Sequence, residues 1–291
     1  MCAIWIITYN YLLCASTSEM ITVSIVTYKT EISELKSCLD SLNSPLVRRI
    51  YIVDNSRMAS IADFCKGMEK VEYIGSNNVG YGAGHNIAIR KAMALNMKYH
   101  LVLNSDVYFG EEVLPRLVDY MNANEDVAQV QPNVVYPDGT LQYGCRLLPT
   151  PLNLISRRFL FRNITEKVNH DFMLYGFDHK TPMNLPYHQG SFMLFRTECF
   201  KKVGLFDERF FMYPEDIDIT RRMHKHYRTM FWPEVTIVHA HRAASYKSMR
   251  MLMIHSYNMI KYFNKWGWIF DRERSDWNKN ILKKVKSNEK E

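Results

Sequence analysis

The first hundred residues alternate between two hydrophobic periods. ITVSIVTY (21–28) reads as a buried strand, and Ile32, Leu35, Leu39 and Leu42 then recur at helical spacing. RIYIVDNS (49–56) is a second strand that ends in polar residues, and VEYIGS (71–76) is a third. The glycine-rich NNVGYGAGHN (77–86) follows and opens a helix through Ile89, Met93 and Met97. HLVLNSD (100–106) is the fourth strand, and EEVLPRLVDYM (111–121) the next helix. This alternation predicts βαβ crossovers and an α/β fold, with a mostly parallel central sheet flanked by helices.

From residue 126 the rhythm changes. A Pro-Asp-Gly turn (137–139) separates short extended runs. Residues 146–186 show no clear period and are rich in Arg, Phe, Asn and Pro, which predicts a long surface excursion. Order returns with GSFMLF (190–195), a helix from Thr197, a helix in PEDIDITRR with Ile217, Ile219 and Met223 inward, and a short strand VTIVH (235–239). In the tail, Met249, Leu252, Met253, Tyr257, Ile260 and Phe263 fall near one helix face, which is expected to pack on the core. Three parts result: an extension (1–19), a main α/β domain (20–242) and a helical C-terminal segment (243–291).

Composition narrows the classes. Hydrophobic residues make up 47% of the 291 and charged residues 23%, which is globular and excludes a disordered chain. The net charge of +7 is unevenly spread: residues 242–291 hold 12 Lys/Arg against 5 Asp/Glu, and the remainder is neutral. The 6 cysteines are scattered without a C-x-x-C pair, which argues against a zinc module or disulfide framework and suits a reducing cytosol. The apolar start is interrupted by Thr8, Tyr9 and Asn10 and has no preceding Lys or Arg. It makes a poor signal peptide and is too short to span a bilayer. The basic tail, with Trp266 and Trp268, suits a helix lying on an anionic membrane. It carries no nucleic-acid reading motif, so nucleic acid is not expected as a partner.

Candidate chemistry gathers at strand ends, where ligands sit in open parallel sheets. Thr27-Tyr28, Asp54-Asn55-Ser56, the 77–86 loop and Asn104-Ser105-Asp106 all lie there. Asp54 alone reads as a turn or helix cap. Two carboxylates and a glycine loop on one rim point instead to a polar, phosphorylated ligand. Gly80, Gly82 and Gly84 match neither a dinucleotide fingerprint nor a P-loop, but they let backbone approach a ligand. Asp106 beside Asn104 offers oxygens of the kind that Mg²⁺ or Mn²⁺ takes next to a diphosphate, the plain alternative being a helix cap. Glu215, Asp216 and Asp218 stand among aromatics, which suits either helix-dipole partners or a desolvated general base. His239 and His241 end a strand on one face, and neutral imidazole is a common metal ligand.

Seven segments, in order, carry a family resemblance: VSIVTYK (23–29), YIVDNS (51–56), NVGYGAGHN (78–86), LVLNSDV (101–107), GSFMLFR (190–196), VGLFDERFFMYPEDIDITRR (203–222) and VHAH (238–241). Together they resemble the family 2 inverting glycosyltransferases of GT-A fold, in particular the rhamnosyltransferase-like branch of bacterial surface-polysaccharide synthesis. The resemblance implies that Thr27, Tyr28, Asp54, Asn55 and Ser56 cradle the nucleotide, with Asp54 receiving a pyrimidine N–H. It sets Asn78, Gly80, Tyr81 and Asn86 beside the donor, with Ser105 among the donor contacts and Gln189 and Gly190 lining the sugar pocket. NSD stands where the family carries D-x-D, so a divalent cation (Mg²⁺ or Mn²⁺) would rest on Asp106 and His239. Asp216 matches the general base and Glu215 the acceptor site.

The implied activity is transfer of a sugar to a hydroxyl of a lipid-linked or oligosaccharide acceptor. L-rhamnose from dTDP-L-rhamnose is the first expectation, and the enzyme is expected to be peripheral on the cytoplasmic face of the membrane. UDP-galactofuranose, UDP-glucose or a similar donor remains open, as do linkage and oligomeric state. So does a non-catalytic carbohydrate-binding protein on the same fold. A sugar nucleotidyltransferase would show a G-x-G-T/S-R-type loop after its first strand, where this chain has TYKTEIS.

Overall fold

Apolar strands build the first half of the sheet, buried almost throughout in the inner strands and half-buried at the edge strand. These are β1 (Ile21–Thr27), β2 (Val47–Asp54), β3 (Val71–Gly75) and β4 (Tyr99–Leu103), all parallel in the order β3-β2-β1-β4. The computed structural model describes residues 20–153, 166, 169–240 and 249–288; the 1–19 extension and His241 lie outside them. Helices α1 (Ile32–Ser41), α2 (Ala59–Cys65) and α3 (Tyr81–Ala94) connect these strands. The register pairs Thr27 with Asp54 and Ile25 with Leu103, so the polar strand ends share one rim.

Beyond β4 the sheet turns mixed. β8 (Phe192–Arg196) runs antiparallel to β4 and to β6 (Val127–Val135), and β9 (Arg228–His239) runs parallel to β6. The two-residue strands β5 (Val107–Tyr108) and β7 (Met183–Asn184) pair antiparallel with β9. β9 starts well before the run 235–239 that its composition suggests. Pro132 in β6 and Pro233 in β9 lack a donor N–H, and the register slips between Gln131 and Asn133. The prolines hide a strand that a bulge accommodates.

α3 begins at a position only glycine fits. Gly80 has φ of 95°, and a Cβ there would collide with the Phe211 carbonyl oxygen. The adjacent Tyr81 N–H donates to that same carbonyl at 2.9 Å. The glycine loop is thus locked to the segment preceding α6 (Glu215–His224).

Residues 146–186, expected as a surface excursion, are a second core in their described part. Leu147, Leu148, Phe172, Leu174 and Leu185 are buried with Ile217 and with Met259, Tyr262, Phe263, Ile281 and Val285 of two C-terminal helices. These are α7 (Met249–Trp266) and α8 (Arg272–Asn288), which follow α4 (Val113–Ala123), α5 (Phe200–Val203) and α6 in chain order. Each such apolar side chain contributes about 1.5–3 kcal/mol on burial. Asn278 clasps Leu148 from both sides, its Oδ1 accepting from the backbone N–H at 3.0 Å and its Nδ2 donating to the carbonyl at 2.9 Å. Arg221 of α6 makes a bidentate pair with Asp271, both bonds 2.7 Å, and stacks over Trp266 at 4.0 Å. Removing one partner of such a buried pair costs about 3–5 kcal/mol. The helical tail is part of the folded body.

α7 is rotated from its expected phase. Asn258, Met259, Tyr262 and Phe263 face inward, whereas Met249, Met253, Tyr257 and Ile260 are 45–71% exposed. Apolar residues occur all round this helix, and polar anchors choose the buried side. Asn258 Nδ2 donates to the Met212 carbonyl, Lys265 pairs with Asp207 and Asp218, and Trp266 Nε1 donates to Asp218.

Candidate active site

The rim at the ends of β1, β2 and β4 brings together three groups of the residues named from sequence. At the β2 end, Asp54 closes its own turn. Its Oδ1 accepts from the Ser56 N–H (2.9 Å) and hydroxyl (2.6 Å), and its Oδ2 accepts from the Met58 N–H (2.6 Å) and Tyr73 hydroxyl (3.1 Å). Burial alone would raise this carboxyl, but the four donors outweigh it and hold it below the usual range. This is the capping arrangement; a pyrimidine N–H would have to displace the longest bond, from Tyr73. Asn55 Nδ2 donates to the Gly80 carbonyl at 3.1 Å, tying this turn to the glycine loop. Thr27 Oγ1 and Asn55 Oδ1 are buried without a hydrogen-bond partner among the described residues. Tyr28 and Asn78 are exposed nearby in sequence, and the Ser56 hydroxyl also accepts from the Lys29 N–H.

Asn86, also read as a donor residue, is a clamp. Its Nδ2 donates to the Phe206 carbonyl and to Glu208, both at 2.9 Å, and its Oδ1 accepts from the Phe206 N–H. It fixes the segment leading into α6 and spends both donors doing so.

The second group is at the β4 end. β5 and β9 pair Val107 with His239, and the Ala240 N–H donates to the Asp106 carbonyl at 2.9 Å. That pairing sets Asp106 Oδ1 3.2 Å from His239 Nε2. His239 is 2% exposed, and its Nδ1 lies 2.8 Å from Gln142 Oε1. Ser105 does not point its hydroxyl proton at this pair; it donates to Glu34 of α1 at 2.5 Å. Asn104, in the place of the first acid of D-x-D, is 3.4 Å from His239 Nε2 through its Nδ2.

The third group is the start of α6. Asp216 Oδ1 accepts from the Ile217 N–H at 2.8 Å and Oδ2 from the Gly190 N–H at 3.1 Å. Burial raises the Asp216 carboxyl, while these two N–H groups and Arg146 pull it back part of the way. Glu215 is more deeply placed, with Oε2 buried and unpartnered among the described residues. Burial, and then the Asp216 charge, push it well above the usual carboxylate range. Asp218 belongs elsewhere, paired with Arg222 and Lys265.

One side chain joins the groups. The Tyr81 hydroxyl shares its proton between the Gly190 carbonyl (2.6 Å) and Asn104 Oδ1 (2.8 Å). Burial and the charges of Glu215, Asp216 and Asp106 raise this phenol well above its usual range, so it stays a donor. Gln189 is held by backbone, its N–H donating to the Gly144 carbonyl and its carbonyl accepting from Gln131. Gln142, Arg146 and Glu34 do not stand out in the sequence; nothing in their spacing marks them, because β6, β9 and α1 bring them in.

Among the described residues, no group of three or more His, Cys, Asp or Glu side chains is placed to hold a metal ion. Asp106 and His239 are two. Their ligand atoms stand at 3.2 Å, close to the ~3 Å between neighbouring ligands of an octahedral cation with bonds near 2.1 Å. At that spacing the two atoms fit a divalent cation.

A family model described as glycosyl transferase family 2 matches residues 22–204, and the chain belongs to that family. A low-salt glycan biosynthesis hexosyltransferase of Haloferax volcanii, Agl10, is 26% identical over 204 residues, 69% of this chain and 61% of that protein. The N-acetylglucosaminyl-diphospho-decaprenol L-rhamnosyltransferase of Mycobacterium tuberculosis is 28% identical over 183 residues, 58% of this chain and 57% of that one. Rhamnosyltransferase WbbL of Escherichia coli K12 is 26% identical and is covered to 76%. The chain therefore spans about three-fifths of the length of the first two relatives.

Among solved structures, GalNAc-T7 with UDP, GalNAc and Mn²⁺ superposes with TM-score 0.57 at 14% identity, covering 76% of this chain and 43% of that one. A mannosyltransferase of Pyrobaculum calidifontis with GDP-Man and Mn²⁺ does so with TM-score 0.53 at 18% identity, covering 83% and 64%. The fold is the GT-A fold.

Proposed function

We propose that the chain is an inverting glycosyltransferase that moves a sugar from a nucleotide-sugar donor to a hydroxyl of a lipid-linked or oligosaccharide acceptor. The first donor expected is dTDP-L-rhamnose. The observation that carries this reading is the bridge from Asp216 through Gly190 and Tyr81 to Asn104. It ties a raised carboxylate to the strand end that bears the Asp106–His239 pair.

In this reading the donor lies along the rim, its nucleotide against Thr27, Tyr28 and the 54–56 turn, and its sugar against Gln189 and Gly190. Asp216 takes the proton of the acceptor hydroxyl as that oxygen attacks the anomeric carbon from the face opposite the leaving diphosphate. A single displacement inverts the centre, so one base suffices. The Gly190 and Ile217 N–H groups hold the Asp216 carboxylate in place, and burial of Glu215 disfavours a second negative charge beside it. A divalent cation held by Asp106 and His239 would offset the charge growing on the diphosphate.

The rhamnosyl preference is supported by two relatives with that name, and a lipid diphosphate acceptor by the decaprenol-linked substrate in the name of one. Membrane-surface binding through the C-terminal segment is supported by the exposed side of α7. Met249, Met253, Tyr257 and Ile260 fall on that side, and Trp268, Ile269 and Phe270 follow the helix with exposures of 43%, 79% and 96%. This amphipathic edge suits the interface of an anionic bilayer. No described helix is long and apolar enough to cross a membrane. Lys261 and Lys265 are engaged with the body through the Arg209 carbonyl and Asp207, so the basic contribution falls to exposed residues such as Arg250, Lys283 and Lys284.

Incubating the protein with dTDP-L-rhamnose, UDP-galactofuranose and UDP-glucose, each with Mn²⁺, tests the reading through nucleoside diphosphate release and melting temperature. A ligand at 100 times its Kd stabilises by about 2.7 kcal/mol. Turnover and stabilisation by dTDP-L-rhamnose above the others is expected. Preference for a UDP sugar would reassign the donor, and response to none would remove all three from the reading.

A further inference from the structure

Gln142 follows the Pro-Asp-Gly turn on the return from β6, 5% exposed, with its backbone N–H donating to the Val134 carbonyl at 2.9 Å. Its side chain grips one residue twice. Nε2 donates to the His239 backbone carbonyl at 2.9 Å, and Oε1 lies 2.8 Å from His239 Nδ1. A backbone carbonyl only accepts, so the –NH₂ end of the amide must face it, and the oxygen must face Nδ1. That oxygen also only accepts. Nδ1 therefore carries a hydrogen, and in the neutral ring Nε2 carries the lone pair. This is the reverse of the tautomer a free histidine side chain favours.

The strand framework leaves the ring little choice. Val135 pairs with Val238 in the β6–β9 ladder, and Gln142 is anchored next to that pair on Val134. The two bonds from one amide fix both the backbone position of His239 and the rotation of its imidazole. Nε2 is thereby directed at Asp106 Oδ1, 3.2 Å away. Two lone-pair atoms at that distance repel unless something positive stands between them.

We propose, building on the cation reading of Asp106 and His239, that Gln142 is a positioning residue that selects the Nδ1–H tautomer of His239 and so presents Nε2 as a ligand to a divalent cation. Outer-sphere partners of ligating histidines commonly change metal affinity about 10–100-fold when removed. Nothing in the sequence pattern distinguishes Gln142; only the strand pairing does.

The test compares wild type, Gln142→Leu and Gln142→Glu as full chains. Glutamate keeps an oxygen opposite Nδ1–H while giving up the donation to the His239 carbonyl, whereas leucine fills the space with neither. Long-range ¹⁵N–¹H NMR of histidine-labelled protein reads the tautomer without metal, the His239 signals being those lost in His239→Asn. Titration with MnCl₂, followed by the EPR signal of free Mn²⁺, reads affinity, and melting temperature reads folding. We expect Nδ1–H in wild type and Gln142→Glu, a shift towards Nε2–H in Gln142→Leu, and Mn²⁺ affinity about 10–100-fold lower in the leucine variant alone. An unchanged tautomer in a folded Gln142→Leu, or Nε2–H in wild type, overturns the proposal. If the tautomer shifts as expected and wild type binds no Mn²⁺, the positioning of His239 stands and the cation reading falls.

Discussion

The Tyr81 hydroxyl lies 2.6 Å from the Gly190 carbonyl oxygen, while the N–H of the same Gly190 donates to Asp216 Oδ2 at 3.1 Å. One peptide position thus transmits the placement of the glycine-loop helix to the candidate base. The same phenol reaches Asn104 Oδ1 at 2.8 Å, so α3, the β4 end and the start of α6 meet at a single buried oxygen.

Tyr81→Phe removes that junction and keeps the ring. The Gly190 carbonyl loses its partner, which costs about 1–3 kcal/mol when buried. Chemical denaturation should show a loss in that range, and turnover should fall at least several-fold through kcat, with the donor-induced melting shift largely kept. Wild-type kcat in a folded Tyr81→Phe would mean that the junction does not position the base.

Glu215 gives a pH signature in stability. Burial and Asp216 raise its carboxyl in the folded state, so the folded chain holds a proton that the unfolded chain releases. Between the unfolded carboxylate pKa, about 4.3, and the raised folded value, unfolding releases a proton, and stability falls as pH rises. The amide of a Glu215→Gln variant has no proton to lose. Its melting temperature should decline less steeply with pH over that window, with the variant the more stable at the alkaline end. Parallel melting-versus-pH curves for the two proteins would contradict the assignment.

The exposed edge of α7 makes a prediction about surfaces. The triple variant Met253→Ser, Ile260→Ser, Phe270→Ser alters residues that are 61%, 45% and 96% exposed, so its melting temperature should stay near that of wild type. Its sedimentation with phosphatidylglycerol vesicles should drop, while turnover on a soluble acceptor is retained. Co-sedimentation equal to wild type would remove this edge from membrane binding. Deleting the tail is a poorer test, because α7 and α8 share the second core and the Arg221–Asp271 pair.

The first half of the fold is legible in the sequence because its information is local. Each strand of the β3-β2-β1-β4 group is rich in apolar residues, and the crossover helices α1 and α3 repeat their own period, whereas the short α2 (Ala59–Cys65) leaves no such mark. The second core is not legible. Leu148 finds its partner in Asn278, 130 residues on, so neither segment shows by itself which face is buried. For α7 the apolar residues alone suggest the wrong phase, and Asn258, Lys265 and Trp266 decide it through polar contacts. In the candidate site, strand-end residues such as Asp106 and the acids of α6 stand out by type and place. Gln142 and Arg146 do not, since a glutamine and an arginine after an irregular turn look like surface. Asn86 illustrates the converse: a motif position whose amide is spent on Phe206 and Glu208.

Asp216 carries the central claim, and Asp216→Asn tests it most directly. The amide keeps the shape and one oxygen, for the Gly190 N–H, gives up the bond from the Ile217 N–H, and loses the basicity. With the donor that wild type accepts, transfer to an acceptor hydroxyl should fall about 10²–10⁴-fold, while the donor still raises the melting temperature as it does in wild type. Transfer by Asp216→Asn at a near-wild-type rate, with the donor bound normally, would contradict the account.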